Sequence, residues 1–327
     1  MNNIRVAING FGRIGRTLFR VLHQREGVEV VAFNDIADIH SLAHLLKYDS
    51  VHRTFDAQVS FDSNSLIVDG RKIEYTQESK LENLAWKNCD VVIEASGKYL
   101  SKDDLEQHIL AGAKKVILAA PSDGDEVKMV VLGVNDEFLN SNDTLFSNAS
   151  CTTNSAAPMV QLIDQNFGVE QAYITTVHSY TKDQNLHDTP HKDLRRARAG
   201  ALSIIPTTTG AAKALSKIFP HLDIGGCGMR VPVVNGSLTD MTFIVKKNCT
   251  IEEVNQVFLK ASESSHKGYV AYTEDPIVSI DVVGNSASCL FDAQLTSVLG
   301  KMVKVVSWYD NEMGYSHRLA DLIKKLS

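Results

Sequence analysis

The glycines of Gly10-Phe11-Gly12-Arg13-Ile14-Gly15 constrain this chain more than any other feature. They follow an apolar run at 4–8 and open a helical pattern. That context belongs to a β-α-β unit whose backbone comes close to a ligand. The first glycine permits a tight turn, the second leaves room for a pyrophosphate, and the third lets helix pack on strand. The helix N-terminus then offers unpaired N–H groups to the anion. A second apolar strand, 28–33, ends at Asn34-Asp35, so a carboxylate stands about 20 residues past the last glycine. There it accepts hydrogen bonds from ribose hydroxyls and repels a 2′-phosphate, which favours NAD over NADP. The alternative is a glycine-rich turn beside a solvated Asp, and the strand–turn–helix context argues against it.

The first half of the chain continues the β-α alternation. Strands are predicted at 90–94, 115–120, 127–132 and 144–147, and Ser101 caps a helix running to about Gly112. The unbroken apolar run at 91–93 suits a parallel strand buried on both faces. The fold class is therefore α/β, with a Rossmann-type doubly wound parallel sheet. Beyond residue 151 the rhythm changes. Strands at 172–177, 229–232, 238–246, 277–283 and 304–309 suggest an α+β domain with a mixed or antiparallel sheet. The expected division is 1–150 for the dinucleotide, with a C-terminal helix 314–327 packing back on it, and 151–313 for catalysis. A chain of 327 residues is long enough for two cores. Segment 180–200 is polar, basic and aperiodic; a loop that long is functional or an oligomer contact.

Composition excludes several classes. No apolar run approaches the roughly 20 residues that span a bilayer, and the first residues lead straight into a strand rather than a secretory signal. The five cysteines are scattered with no CxxC pair, which argues for reduced thiols in the cytoplasm and against a structural metal. Net charge is −6, so the chain as a whole does not attract nucleic acid or a membrane surface.

Cys151 is placed where a strand gives way to a helix, in Ser150-Cys151-Thr152-Thr153-Asn154. The positive end of a helix stabilises a thiolate there. A buried structural thiol is the alternative. A reactive thiol also needs a proton carrier, and His178, at a strand end, leads among 11 histidines. Arg195 and Arg230 are candidate anion ligands; Arg230 lies in an apolar stretch, where a charge is costly unless paired. Pro206-Thr207-Thr208-Thr209-Gly210 opens a helix, either as an ordinary cap or as a phosphate site. An activated thiol beside a nicotinamide site points to covalent capture of an aldehyde followed by hydride removal.

With these residues assembled, the chain resembles the phosphorylating glyceraldehyde-3-phosphate dehydrogenase family from end to end. The likeness is carried by 8–16, 45–52, Ser147-Asn148-Ala149-Ser150-Cys151-Thr152-Thr153-Asn154, His178-Ser179-Tyr180-Thr181 and 308–315. The resemblance implies NAD-dependent oxidation of a triose phosphate aldehyde through a Cys151 thiohemiacetal and thioester, in glycolysis or gluconeogenesis, with His178 as acid–base partner. It implies that Thr181, Arg195 and Arg230 hold the substrate phosphate. Ser150, Thr152, Thr209 and Gly210, with Arg195, would hold attacking inorganic phosphate. Cofactor ligands would be Gly10, Phe11, Gly12, Arg13, Ile14, Gly15, Asn34, Asp35, Ser96, Gly97, Ser122, Asn311 and Tyr315, with no metal. It further implies a cytoplasmic homotetramer in which 180–200 packs against a neighbour.

Three departures stand out. Ser155 occupies the position, one turn after the nucleophile, where many relatives carry a second cysteine. Ser96 replaces a common Thr. The stretch 223–228 looks shortened ahead of Arg230, and 233–236 also departs from the pattern. The rival readings are an erythrose-4-phosphate dehydrogenase, which releases its acid by hydrolysis, a catalytically silent binding protein of the same fold, and a cysteine hydrolase. Thr181 and the 207–210 run favour phosphate as acyl acceptor, and a hydrolase gives no reason for the nucleotide fingerprint.

Overall fold

The computed structural model describes residues 3–140 and 142–326. The chain divides into two compact units. One comprises Met1–Val130, Asp136–Ala149 and Ser316–Ser327, the other Val131–Asn135 and Ser150–Tyr315.

The first unit is built on a nine-stranded sheet among the described residues. Its strands are β1 (Ile4–Asn9), β2 (Val28–Asn34), β3 (Val59–Phe61), β4 (Ser65–Val68), β5 (Arg71–Thr76), β6 (Val91–Glu94), β7 (Lys115–Leu118), β8 (Lys128–Met129) and β9 (Leu145–Ser147). They lie in the order β3-β4-β5-β2-β1-β6-β7-β9-β8. All neighbours pair in parallel except the β3-β4-β5 meander, which is antiparallel. Helices α1 (Arg13–His23), α2 (Ile39–Lys47) and α3 (Lys102–Leu110) fill three of the connections. Val6, Ala7, Ile8, Val92 and Ile93 are fully buried, which is why β1 and β6 read as unbroken apolar runs. Ser101 and Asp104 form a reciprocal capping box that starts α3 where the sequence placed it. Order reverses between β1 and β6, so their carboxyl ends make the crevice where ligands of such sheets bind.

The second unit carries an eight-stranded mixed sheet among the described residues. Its strands are β10 (Val169–Ser179), β11 (Ile205–Thr207), β12 (Asp223–Val231), β13 (Ser237–Val245), β14 (Val270–Thr273), β15 (Cys289–Asp292), β16 (Ser297–Leu299) and β17 (Met302–Tyr309). The order is β11-β12-β10-β13-β17-β15-β14, with β16 on β17. The pairs β10–β12 and β14–β15 are parallel and the rest antiparallel. Helices α4 (Cys151–Phe167), α5 (Ala211–Ile218) and α6 (Ile251–Glu263) belong to this unit. Strict burial alternation along β13 explains its legibility. The last helix, α7 (Met313–Lys325), buries Leu319, Leu322 and Ile323. In the first unit its Asp321 takes an ion pair from Arg25 at 2.5 Å.

Some expectations fail. Residues 277–283 do not form a strand: a short 3-10 turn covers Ser279–Val282, and Asp281 accepts from the Val278 amide. Val278 and Ile280 point to solvent, so apolar content there reflects exposed side chains rather than a buried ladder. At 127–132 only Lys128–Met129 pairs. The stretch 223–228, which looks shortened against the family pattern, is the first part of one continuous strand, β12. Its glycines let other groups approach: a Cβ on Gly226 would lie 2.3 Å from Ile174 and 3.2 Å from Ala212 of α5.

Candidate functional site

The strand-to-helix step before Cys151 is tight. Ala149 is fully buried with φ +54°, a left-handed conformation unusual for a residue with a side chain. Ser150 then caps α4, its Oγ accepting from the Thr153 amide at 3.0 Å. Cys151 is thereby the first residue of a 17-residue helix, at the positive end of its dipole.

His178 reaches the same place by strand register. It is the penultimate residue of β10, and the parallel pairing sets it directly beside Arg230 of β12. Cys151 Sγ and His178 Nε2 stand 3.5 Å apart. Arg230 Nη1 is 2.6 Å from His178 Nδ1 and donates to the Ser179 carbonyl at 3.1 Å. Among the described residues no carboxylate pairs with this half-buried guanidinium. Tyr309 of β17 closes the site: its hydroxyl shares hydrogen bonds with Thr152 Oγ1 (2.9 Å) and Thr176 Oγ1 (3.1 Å), and its ring meets His178 edge-on.

Electrostatics here refine the sequence reading. Burial pushes the Cys151 thiol up, opposed by Arg230 and by Thr152 at the helix start. Burial, with Arg230 adding to it, pushes His178 down to about 3. Burial and the groups at the helix start thus act on the sulfur in opposite directions.

The candidate anion ligands surround this pair unevenly. Thr181 donates from its amide to Gln184 Oε1 at 2.9 Å. Thr209 Oγ1 accepts from the Ala211 amide at 3.2 Å, and Gly210 is the exposed N-cap of α5. Arg195 is exposed; its backbone amide donates to Asp193 and its carbonyl accepts from the Arg198 amide. Sequence reasoning passed over its neighbour Arg196, which pairs with Asp183 and donates to Thr207 Oγ1 at 2.9 Å. Arg196 thus ties segment 180–200 to the Thr207–Thr209 turn. Tyr309 was also passed over; 305–307 of β17 are buried in succession, so no alternation singles it out. Asn311 Oδ1 accepts from Ser179 Oγ (3.0 Å) and Ser237 Oγ (3.1 Å), which leaves its NH2 as the end aimed at a ligand. Tyr315 is buried on α7.

In the first unit the nucleotide candidates gather at the β1–β6 crevice. Gly10 has φ +93°, and a Cβ there would fall 2.4 Å from the Ser96 amide nitrogen; a Cβ on Gly15 would fall 2.2 Å from the Gly10 carbonyl. A Cβ on Gly12 meets nothing within 4 Å, and Gly12 caps α1 without a side-chain bond, which leaves room for an anion at the helix start. This cradle fits a dinucleotide pyrophosphate. Asp35 Oδ2 accepts from the Phe11 amide at 2.7 Å and Oδ1 from the Ala37 amide at 3.0 Å. Arg13 pairs with Asp49, whose carboxyl lies at about 2, lowered by that guanidinium and the His52 and Val51 amides against its own burial. Ser96 donates to Glu94 Oε1 through both amide (2.8 Å) and hydroxyl (2.5 Å), and Gly97 follows at φ +71°. Ser122 Oγ donates to the Gly124 carbonyl at 2.8 Å. Asn34 is different: its amide is consumed by Asn9, Glu78 and Thr76, so its side chain fixes the end of β2 and has nothing left for a ligand.

Two outcomes follow. Asp35→Ala should narrow the ratio of NAD to NADP kcat/KM by about tenfold or more, since one lost charge–phosphate repulsion is worth roughly 1.4 kcal/mol or more at short range. An unchanged ratio in steady-state assays would assign the preference elsewhere. Ser155 is buried against Ser307 at 2.8 Å, so the helical turn after Cys151 offers no thiol. Mild peroxide should leave Cys151 as sulfenic acid or a mixed disulfide. Peptide mass spectrometry finding it mainly in an intrachain disulfide would refute this.

Comparison with known proteins agrees with this layout. Residues 4–102 match the model of the glyceraldehyde 3-phosphate dehydrogenase NAD binding domain, and residues 150–311 match that family's C-terminal domain. The chain is 50% identical over 325 residues to the glyceraldehyde-3-phosphate dehydrogenase of Geobacillus stearothermophilus, covering 98% of this chain and 97% of that one. It is 50% identical over 329 residues to the enzyme of Thermotoga maritima, 98% of each chain. Against that of Borreliella burgdorferi it is 50% identical over 335 residues, 99% of each. With both halves matched and the likeness running end to end, the chain belongs to the glyceraldehyde-3-phosphate dehydrogenase family.

Proposed function

We propose that this enzyme oxidises D-glyceraldehyde 3-phosphate to 1,3-bisphosphoglycerate, with NAD as hydride acceptor and inorganic phosphate as acyl acceptor. The observation that carries the reading is Cys151 Sγ at 3.5 Å from His178 Nε2, at the start of a helix and beside a half-buried arginine without a carboxylate partner. Residues 1–150 with 314–327 form the NAD-binding domain, and 151–313 the catalytic domain.

The chemistry runs through these side chains. Cys151 passes its proton to His178 and its sulfur attacks the aldehyde carbon, giving a thiohemiacetal. The Cys151 amide at the helix start steadies the oxyanion, and His178 returns the proton to it, which forms the hydroxyl and leaves the imidazole neutral again. His178 Nε2 then accepts the hydroxyl proton as the C1 hydrogen leaves with its electron pair. The glycine cradle and Asp35 would hold NAD, with Asn311 on its carboxamide, and NAD would supply the hydride acceptor. The Cys151 thioester that results keeps the oxidation energy for transfer. Phosphate held by Ser150, Thr152, Thr209, Gly210 and Arg195 attacks it, and the sulfur leaves, reclaiming its proton through His178. Thr181, Arg195 and Arg230 hold the substrate's own phosphate. Gly10–Gly15, Ser96, Gly97, Ser122 and Tyr315 complete the cofactor contacts.

The enzyme works as a cytoplasmic homotetramer, with 180–200 against a neighbouring subunit. Exposed Leu186, Leu194, Leu202 and Ile204 on and beside that segment support the reading. Among the described residues no helix is long and apolar enough to cross a membrane, and the five cysteines are free thiols.

The test is NADH formation from D-glyceraldehyde 3-phosphate and from erythrose 4-phosphate, with and without inorganic phosphate. Fast turnover of the triose that stops without phosphate is the expected result. Phosphate-independent turnover, or preference for the tetrose, would replace it with the hydrolytic reading.

A further inference from the structure

Two hydrogen-bonded chains meet at one buried carboxylate at the carboxyl end of β6. The Glu78 amide can only donate, so Asn34 presents Oδ1 to it (2.8 Å) and Nδ2 to Asn9 Oδ1 (2.9 Å). Asn9 is left with Nδ2, which it gives to Glu94 Oε2 at 2.5 Å. From the other side Trp86 Nε1–H donates to His108 Nδ1 at 2.9 Å. The ring proton is therefore on Nε2, and it goes to Glu94 Oε2, also at 2.9 Å. The Ser96 amide adds a third N–H, to Oε1 at 2.8 Å. Glu94, His108 and Trp86 are buried, and among the described residues no lysine or arginine pairs with Glu94. Three groups that only donate surround this carboxyl, which is the setting of an ionised carboxylate. A buried charge without a cation is costly, so packing alone gives no reason for it.

The consequence falls on Ser96. Its Oγ lies 2.5 Å from Glu94 Oε1 and donates its only proton there. The same Oγ accepts from the Lys98 amide at 3.2 Å, which leaves one lone pair on an exposed residue. Donating to a carboxylate makes that oxygen a better acceptor. Gly10, the first glycine of the cradle, backs onto the Ser96 amide, so this lone pair stands beside the nucleotide crevice. We propose that Glu94 is a positioning residue that fixes Ser96 as an acceptor-only group, so that the part of the dinucleotide meeting Ser96 is a ribose hydroxyl and not a phosphate oxygen. This rests on the reading that Ser96 touches NAD, and deepens it. A phosphate oxygen brings no proton and would face a lone pair backed by a buried negative charge; a ribose hydroxyl brings the proton that Ser96 lacks. Asn34, which has nothing left for a ligand, acts on the cofactor through Asn9 and Glu94.

The test measures NAD binding to the full-length protein by calorimetry, with steady-state kcat and KM alongside. Ser96→Ala should weaken NAD by about 3–10-fold, the usual worth of one hydrogen bond. Glu94→Gln sets an NH2 among groups that only donate and frees the Ser96 hydroxyl to turn outward; it should raise the KM for NAD by a similar factor and change kcat less. The two losses should not add: in Ser96→Ala protein, Glu94→Gln should cost NAD little more. Additive losses would overturn the role of Glu94 while leaving Ser96 as a ligand. Unchanged NAD binding by Ser96→Ala would overturn the underlying reading as well. Polarity is tested without the Glu94 variant, by NAD analogues in which one ribose hydroxyl at a time is replaced by hydrogen or by fluorine. Fluorine accepts weakly and cannot donate, so at one ribose position both replacements should abolish the penalty of Ser96→Ala. A penalty that survives with fluorine but not with hydrogen would make Ser96 a donor and overturn the proposal. If Glu94→Gln does not fold, this comparison decides alone.

Discussion

Cys151→Ser should leave a folded protein that binds NAD but turns over at least about a thousandfold more slowly. Serine preserves the volume at the start of α4, and the cap from Ser150 to Thr153 does not involve the sulfur. What is lost is the nucleophile: a hydroxyl ionises far less readily than a thiol, and a neutral His178 with Arg230 beside it is a poor base for it. An ester would also transfer its acyl group to phosphate more slowly than a thioester. NADH formation, with circular dichroism and NAD titration as controls, makes the measurement. Activity within tenfold of wild type would remove covalent catalysis from the account.

His178→Asn should lower kcat by about 10²–10⁴, the usual worth of a positioned acid–base group, and should change KM much less. Its effect on acid stability has the opposite sign. His178 stays neutral in the folded state down to about 3, whereas an unfolded histidine protonates near 6.5. Between those values the unfolded chain binds more protons, so folding stability falls as pH drops from 6.5 toward 3. The Asn variant has nothing to protonate and should lose less stability over that window. Denaturant midpoints at pH 7 and pH 4.5 compare the two. A variant as acid-sensitive as the wild type would mean that other groups, such as His266, whose imidazole burial also pushes down, control the loss over that window; Asp49 contributes stability above 3.8 that disappears only as pH falls toward about 2.

What could be read from the chain followed from local rules. The glycine fingerprint needs only strand, turn and helix, and it placed the β1–α1 cradle. Ser101 and Asp104 spelled out a helix start, and the apolar run at β6 announced a strand covered on both faces. The missed elements depend on distant partners. The β3–β4–β5 meander carries short strands with many exposed residues, and β14 and β15 are four residues each, held by pairing rather than by pattern. Residues 277–283 show the converse error: apolar side chains with nothing to cover them.

The site divides in the same way. Cys151 could be singled out because its chemistry depends on a helix start, which is local. His178 could only be one candidate among many until the β10–β12 register put it beside Arg230, and resemblance rather than spacing raised it above the rest. Tyr309, Arg196 and Ser179 act through contacts made across the sheet or between loops, for which the sequence carries no short-range signal. The balance of forces on the thiol was also beyond local reading, since burial depends on everything packed around the sulfur.

The central claim is that the substrate's carbon becomes bonded to the sulfur of residue 151 during oxidation. Mixing the enzyme with NAD and D-glyceraldehyde 3-phosphate in phosphate-free buffer, quenching in acid and mapping peptides by mass spectrometry tests it directly. The account predicts one phosphoglyceroyl group on the Cys151 peptide, formed in step with a burst of NADH and released when inorganic phosphate is added before the quench. A full burst of NADH with Cys151 unmodified would contradict it.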